Sequence, residues 1–311
     1  MEKNCWILRR KLGDSAQKYM FILEDAKSNP AGLQKSANKE YIFARRFDEI
    51  LAPINWNITQ SSLYNAIWIS RKFANMYLCQ NGLPITYGGK TNPQFKGYMK
   101  IDDEFQDRDN RMRYTMMRPH DNFWNNQKPR TSWDGKDKNP YISNFVPKTG
   151  TGYHNQKWAT ERKVEDKKEG YDFPIIRYAD VLLNYAEVEN YLNGPTEDAY
   201  SKLNAVHNRS NSNPIATGLS KEAFDDAIFQ ERVWEFIGEG HLYYDELRTN
   251  RLGKNVYEYK TYMFENGYYN CQKLQFVPQK TFLWKIPQTS LDSNPALEQN
   301  PDNVSDPKYP L

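Results

Sequence analysis

Three stretches in the second half of the chain carry apolar residues at helical spacing. From Phe173 to Gly194, FPIIRYADVLLNYAEVENYLNG sets Ile175, Ile176, Ala179, Leu182, Leu183, Ala186 and Leu192 mostly three or four apart, the stripe of a helix laid on a core. Pro174 stands at an early helix position and Asn193-Gly194-Pro195 supplies the stop. A helix is therefore predicted over 174–193. A second, over 197–208, offers Ala199, Leu203 and Val206 as its apolar side. The third runs over 221–238 and carries Phe224, Ile228, Val233, Trp234, Phe236 and Ile237. Ser220 precedes it as N-cap, with Glu222, Asp225 and Asp226 near the positive end of the helix dipole. Two helices joined by a tight turn and followed by a third predict antiparallel neighbours, an arrangement of the tetratricopeptide kind.

The rest is less regular. Residues 1 to about 28 read as helical, with Tyr19, Ile22 and Leu23 facing a core and Asn29-Pro30 as the stop. Asn38 to Phe47 reads as a strand, and the stretch from Phe105 to Arg118 ends in RYTMM, a second candidate strand. Residues 119–172 have almost no period and are expected to be loop-dominated.

Charge narrows the possible functions. Lys plus Arg is 42 and Asp plus Glu is 39, a net of +3, which supplies no nucleic-acid surface. Eight Trp, 22 Tyr and 15 Phe exclude simple disorder despite a mean hydropathy of −0.90. Such rings serve either as amphipathic contact surfaces or as pins for irregular loops. Cys5, Cys79 and Cys271 are scattered and odd in number, so neither a disulfide framework nor a zinc site is expected. No apolar run approaches the ~20 residues of a membrane span. The first residues lack the apolar segment of a signal peptide.

Two constellations carry candidate chemistry. Glu231, Glu235 and Glu239 follow at i, i+4 and i+8, which puts three carboxylates on one helix face. They repel one another unless cations face them, so the pattern calls for partners elsewhere in the fold. Carboxylates roughly 5–10 Å apart can act as acid and base in glycoside hydrolysis. Arg232 and Arg248 nearby, with His241 and Asp245, favour a structural ion-pair network instead. No HExxH, GxGxxG or Walker pattern occurs, so no metal and no cofactor is expected, and His120, His154 and His207 read as surface or packing residues.

The second constellation is the aromatic loop. Trp124, Trp133, Tyr153 and Trp158 sit among Asn125, Asn126 and Arg130. A flat ring packs on the C–H face of a sugar, and amides and guanidinium groups pair with hydroxyls. These residues make up a candidate glycan platform; the alternative is that the rings anchor the loop to the core.

Several segments, in order along the chain, resemble the SusD/RagB family of outer-membrane nutrient-binding lipoproteins of Bacteroidetes. NKEYIFARRF (38–47), NMYLCQNGLPI (75–85), FQDRDNRMRYTMM (105–117) and TGYHNQKW (151–158) are similar to family segments. FPIIRYADVLLNYAEVEN (173–190), ERVWEFIGEGHLYYDELRTNR (231–251) and LWKIPQTSLDSNPALEQNP (283–301) are the most specific. The resemblance implies a mainly α fold with tetratricopeptide-type helices, a loop-rich region and short strands. Residues 1–311 would form the C-terminal region of a longer lipoprotein, whose signal peptide, lipid-bearing cysteine and N-terminal helical repeats have no counterpart here. It implies a non-catalytic protein on the cell surface that captures an oligosaccharide and passes it to a SusC-like TonB-dependent transporter. The Arg177–Tyr178–Asp180 and Glu231–Arg232–Glu235–Glu239 motifs would then be structural. Cys5 lacks the context of an acylated cysteine, and Leu242 stands where the family usually shows arginine.

Overall fold

The computed structural model describes residues 7–55, 68–69, 71–97, 103–116, 118, 121–125, 128–131, 153–162, 164–165, 167–251, 260–263, 267–270 and 285–300. Helices dominate: α1 (Ile7–Leu12), α2 (Ala16–Tyr19), α3 (Arg71–Met76), α4 (Asn110–Thr115), α5 (Tyr178–Asn193), α6 (Glu197–His207), α7 (Lys221–Glu235), α8 (His241–Arg248) and α9 (Gln288–Ser293). The strands form two-stranded ribbons. β1 (Tyr41–Arg45) pairs with β8 (Phe173–Arg177), β2 (Trp68–Ile69) with β7 (Tyr153–His154), and β3 (Thr86–Tyr87) with β4 (Lys90–Thr91). β5 (Asn122–Asn125) pairs with β6 (Lys128–Thr131), and β9 (Lys260–Met263) with β10 (Gly267–Asn270).

The α5–α7 unit follows its sequence signals closely. Thr196 and Ser220 each cap the next helix, accepting from the amides of Ala199 and Ala223 at 3.2 Å. Ala179, Leu182, Leu183 and Ala186 of α5 meet Ala199, Leu203 and Val206 of α6 and Phe224 and Ile228 of α7 in one buried cluster. The opposite side of α7 buries Phe229, Val233 and Trp234 against Phe73, Tyr77, Met112 and Met116. One helix therefore seals two cores. A third cluster gathers Leu8, Tyr19, Ile22, Leu23, Trp158 and Tyr171.

Four expectations are corrected. Pro174 does not begin a helix: residues 173–177 are β8, with Pro174 opposite Ala44. A two-stranded ribbon tolerates the missing N–H, and pairing with a distant strand overrides the local helical period. Ile175 and Ile176 consequently lie half-exposed on this ribbon, and Leu192 is 66% exposed on the outer side of α5. The N-terminal helical stretch ends at Tyr19, not near 28. Beyond it the Ser28 hydroxyl accepts from the Glu24 amide, and the Asn29 side chain bonds Asp25 and Leu33. Side chains thus take over from the helical ladder. Residues 113–115 of RYTMM are helical and not a strand, because Asp109 caps α4 through the Arg111 amide at 2.8 Å and Met112 and Met116, four apart, are both buried. Finally, α7 stops at Glu235, and Gly238 takes a positive φ of 77° in the turn beyond. Among the described residues, no helix is long and apolar enough to cross a membrane.

Candidate functional site

The glutamate ladder projects from α7 into a buried charge network drawn from five regions of the chain. Glu231 and Glu235 lie four apart on the helix; Glu239 lies past its end, where its amide donates to the Phe236 carbonyl at 3.0 Å. The three carboxylates still converge, because the cations that face them are shared.

Arg111 of α4 is held by its own cap residue, Asp109 (Nη2 to Oδ2, 2.7 Å), and reaches Glu231 at 2.6 Å and Glu235 at 3.2 Å. Arg177 stands where β8 becomes α5. It donates to Glu235 (3.0 Å), to Glu40 (3.2 Å) and bidentately to Glu239 (2.7 and 2.9 Å). Lys157 spends its ammonium hydrogens on the carbonyls of Glu235 (3.1 Å) and Ile237 (3.0 Å) and on the Glu239 carboxylate. Arg209 pairs with Glu40 at 2.9 Å. His207 closes the network with Nδ1 2.8 Å from Glu231. Most of these side chains are at most 5% exposed, Arg209 being the most open at 14%.

Glu40 also joins charge to backbone. Its carbonyl accepts from the Tyr178 amide at 2.8 Å, and its carboxylate accepts from the Ala179 amide at 2.9 Å. The first turn of α5 is thus capped from 139 residues away, with negative charge at the positive end of the dipole.

A second network explains Arg232, Asp245 and Arg248. Arg232 pairs with Asp245 at 2.8 Å and donates to Asn184 at 2.8 Å. It also lies 3.0 Å from Asp180, an ion pair without hydrogen-bond alignment. Arg248 adds Asp245 and Glu187, so α5, α7 and α8 are stitched together by charge.

This electrostatics suits structure better than acid–base chemistry. Burial pushes Glu235 upward, but the Arg177, Arg111, Arg209 and Lys157 cations outweigh it and hold the carboxyl at about 2. Glu231 and Glu239 move the same way, burial again being overcome by their cations. A general acid needs the opposite, a carboxyl raised towards the working pH. Access is also closed. The cavity bordered by Arg111, Lys157, Trp234 and Glu235 has a volume of about 10 Å³, room for one water at most and none for a sugar. Among the described residues, no group of three or more His, Cys, Asp or Glu is placed to hold a metal ion.

Among the described residues, the proposed platform positions fall on separate elements. Trp158 is buried at 4% exposure, edge-on to Phe21 and stacked on Tyr171 and Phe173. It offers no face to a ligand, so its expected platform role is corrected to that of a core anchor. For Trp124, Asn125, Arg130 and Tyr153 the backbone is described. Trp124 stands opposite Pro129 and Asn125 opposite Lys128, with Arg130 paired to Phe123 one register position away. Tyr153 lies on a different ribbon, opposite Ile69. Trp133 and Asn126 lie outside the described residues. A roomier cleft, about 880 Å³, runs along β1 and is lined in part by Lys35, Lys39, Tyr41, Phe43, Arg46 and Asp172. That volume is within the range of small-molecule sites, and Phe43 is 58% exposed.

Sequence reasoning missed Glu40, Asp109, Arg111, Lys157, His207 and Arg209 as members. Apart from the Asp109–Arg111 pair, the charge partners that join them lie 24 to 169 residues away. The one local signal is a histidine in the last turn of a helix, a position that stabilises its charged form.

The model of the SusD family matches residues 24–302. Among curated proteins, SusD-like protein P25 of Formosa agariphila is 42% identical over 81 residues, covering 25% of this chain and 15% of its own length. SusD-like protein P38 of the same organism is 30% identical over 134 residues, covering 40% and 24%. Among solved structures, a SusD-like protein from Bacteroides fragilis superposes with a TM-score of 0.63 at 16% identity, over 96% of this chain and 63% of its own. A SusD-like carbohydrate binding protein from the same species gives 0.61 at 21% identity, over 94% and 62%. The matches thus span well under half of the curated relatives and less than two thirds of these two solved chains.

Proposed function

The chain belongs to the SusD family, and on that premise we propose that it takes part in non-catalytic capture of an oligosaccharide at the outer cell surface. The captured glycan is then handed to a SusC-like TonB-dependent transporter. The observation that carries the non-catalytic reading is the fate of the glutamate ladder. All three carboxylates are locked against buried cations, and Glu235 is held at about 2. One of the solved structures is that of a SusD-like carbohydrate binding protein, which supports the same ligand class here. The residues proposed to meet the glycan are Trp124, Asn125, Asn126, Arg130, Trp133 and Tyr153.

The test is to incubate the protein with a panel of oligosaccharides, measuring affinity by calorimetry and new reducing ends by a colorimetric assay. Saturable binding without new ends is expected. Turnover lost in a folded Glu235→Gln variant would overturn the reading in favour of the Glu231/Glu235/Glu239 hydrolase. Affinity unaffected by Trp124→Ala and Trp133→Ala would move the site to the cleft along β1.

A further inference from the structure

We infer that His207 is a buried imidazolium whose proton latches the Asn213 carbonyl of the α6–α7 loop to the end of α6, beside the turn at residues 79–83. The inference rests on the hydrogen-bond geometry, independently of any ligand. His207 ends α6 and is 0% exposed. Its Nδ1 lies 2.8 Å from Glu231 Oε2, and its Nε2 lies 3.1 Å from the main-chain carbonyl oxygen of Asn213. A carbonyl can only accept, and Glu231, held ionised by Arg111, can only accept as well. A neutral imidazole has a single N–H and would press a lone pair against one of these oxygens. Only the doubly protonated ring satisfies both.

Charge balance leads to the same state. The network around it holds five carboxylates, Asp109, Glu231, Glu235, Glu239 and Glu40, against three arginines and a lysine, Arg111, Arg177, Arg209 and Lys157. Protonated His207 makes it neutral, and a buried network tolerates an uncompensated charge poorly. The groups acting on the ring come from each element packed against it. Glu231 and the Trp234 ring, 6.4 Å away, lie on α7; Arg111 and its cap Asp109 belong to α4; the Asn213 carbonyl comes from the loop. Burial and Arg111 disfavour the charge, and Glu231 and Asp109 restore it, leaving the histidine above its ordinary value.

The proton has a mechanical consequence. Asn213 is also tied to the turn: its amide donates to the Gln80 carbonyl at 2.8 Å and its side chain to the Asn81 carbonyl at 3.4 Å. When the proton leaves, the carboxylate keeps the remaining N–H on Nδ1, and Nε2 turns from donor to acceptor facing an oxygen. The loop loses its tie to the end of α6 at Asn213, while the Ile215 amide stays on Asn204 and the Leu219 amide on the Tyr200 hydroxyl. Because the folded value is raised, this stabilisation is complete below the ordinary histidine range near 6.5 and is lost as pH rises through the folded value.

The experiment is long-range 1H–15N NMR of the imidazole rings in the whole chain, from pH 5.5 to 9. The four histidines are assigned by substituting His120, His154 and His241 one at a time, so that His207 itself stays intact. The expected result is one ring with both nitrogens in the protonated range after ordinary histidines have titrated. The Asn213 carbonyl 13C shift should move with the same midpoint, and melting temperature should fall through it. A His207 ring already neutral at pH 6.5, or an Asn213 carbonyl that ignores its titration, would overturn the latch.

Discussion

Glu235 Oε1 lies 3.0 Å from Arg177 Nη1, joining the last turn of α7 to the start of α5 across 58 residues of sequence. Both side chains are almost fully buried, at 1% and 2% exposure. The pair is therefore a structural tie whose two halves are not independently removable. Arg177→Met should destabilise by roughly 3–5 kcal/mol, because Glu235, Glu239 and Glu40 all lose a partner in a dry interior. Denaturant unfolding of the variant against the parent measures this. A loss below ~1 kcal/mol would show that water reaches the network.

Acid should unfold the protein through the same carboxylates. Glu235 is held at about 2, below its ordinary value of 4.5, so its contribution is present above 4.5 and lost as pH falls towards 2. That difference amounts to about 3 kcal/mol. Stability followed by circular dichroism from pH 6 to 2 should drop mainly below 4.5, and Glu235→Gln should flatten the drop. Asp109, which burial raises despite Arg111, contributes in the opposite direction and softens the transition.

Trp158→Ala should cost about 3–5 kcal/mol, the usual loss for a large buried ring, since Phe21, Tyr171 and Phe173 all pack on it. Differential scanning calorimetry reads that loss directly. Glycan affinity of the fraction that remains folded should be unchanged.

Glu40→Ala should exceed an ordinary cap deletion. Removing the Ser220 cap by substitution to alanine is expected to cost ~1 kcal/mol. Glu40 supplies a cap for α5 and a partner for Arg177 and Arg209 at once. Paired thermal melts of the two variants decide the order. Equal losses would mean that the two arginines find other partners.

The fold was legible where the signals are local. Phe224 and Ile228, Leu182 and Ala186, and Leu203 stand at helical spacing and are buried where that spacing puts them, with Ser220 capping as expected. The need of the glutamate ladder for cations was legible too, as an electrostatic necessity. Which cations answer it was not. Arg111, Lys157 and Arg177 come from elements 58 to 124 residues away from their partners, and no periodicity encodes such distances. Pro174 misled because its local preference was weaker than pairing with β1. Trp158 misled for a related reason: it lies in a segment without a period, yet Phe21 from far upstream and Tyr171 and Phe173 from downstream enclose it.

The network also bears on the order in which the chain folds. Glu40 must meet Arg177, Arg111 must meet Glu231 and Lys157 must meet Glu239 across 137, 120 and 82 residues. Each meeting loses loop-closure entropy before it gains anything, and no single pair is favourable while the others remain hydrated. The local α5–α6 hairpin can form early, whereas the charges lock only when distant segments have already arrived. Mutations in the network should therefore mainly speed unfolding, and those in the hairpin core should slow folding.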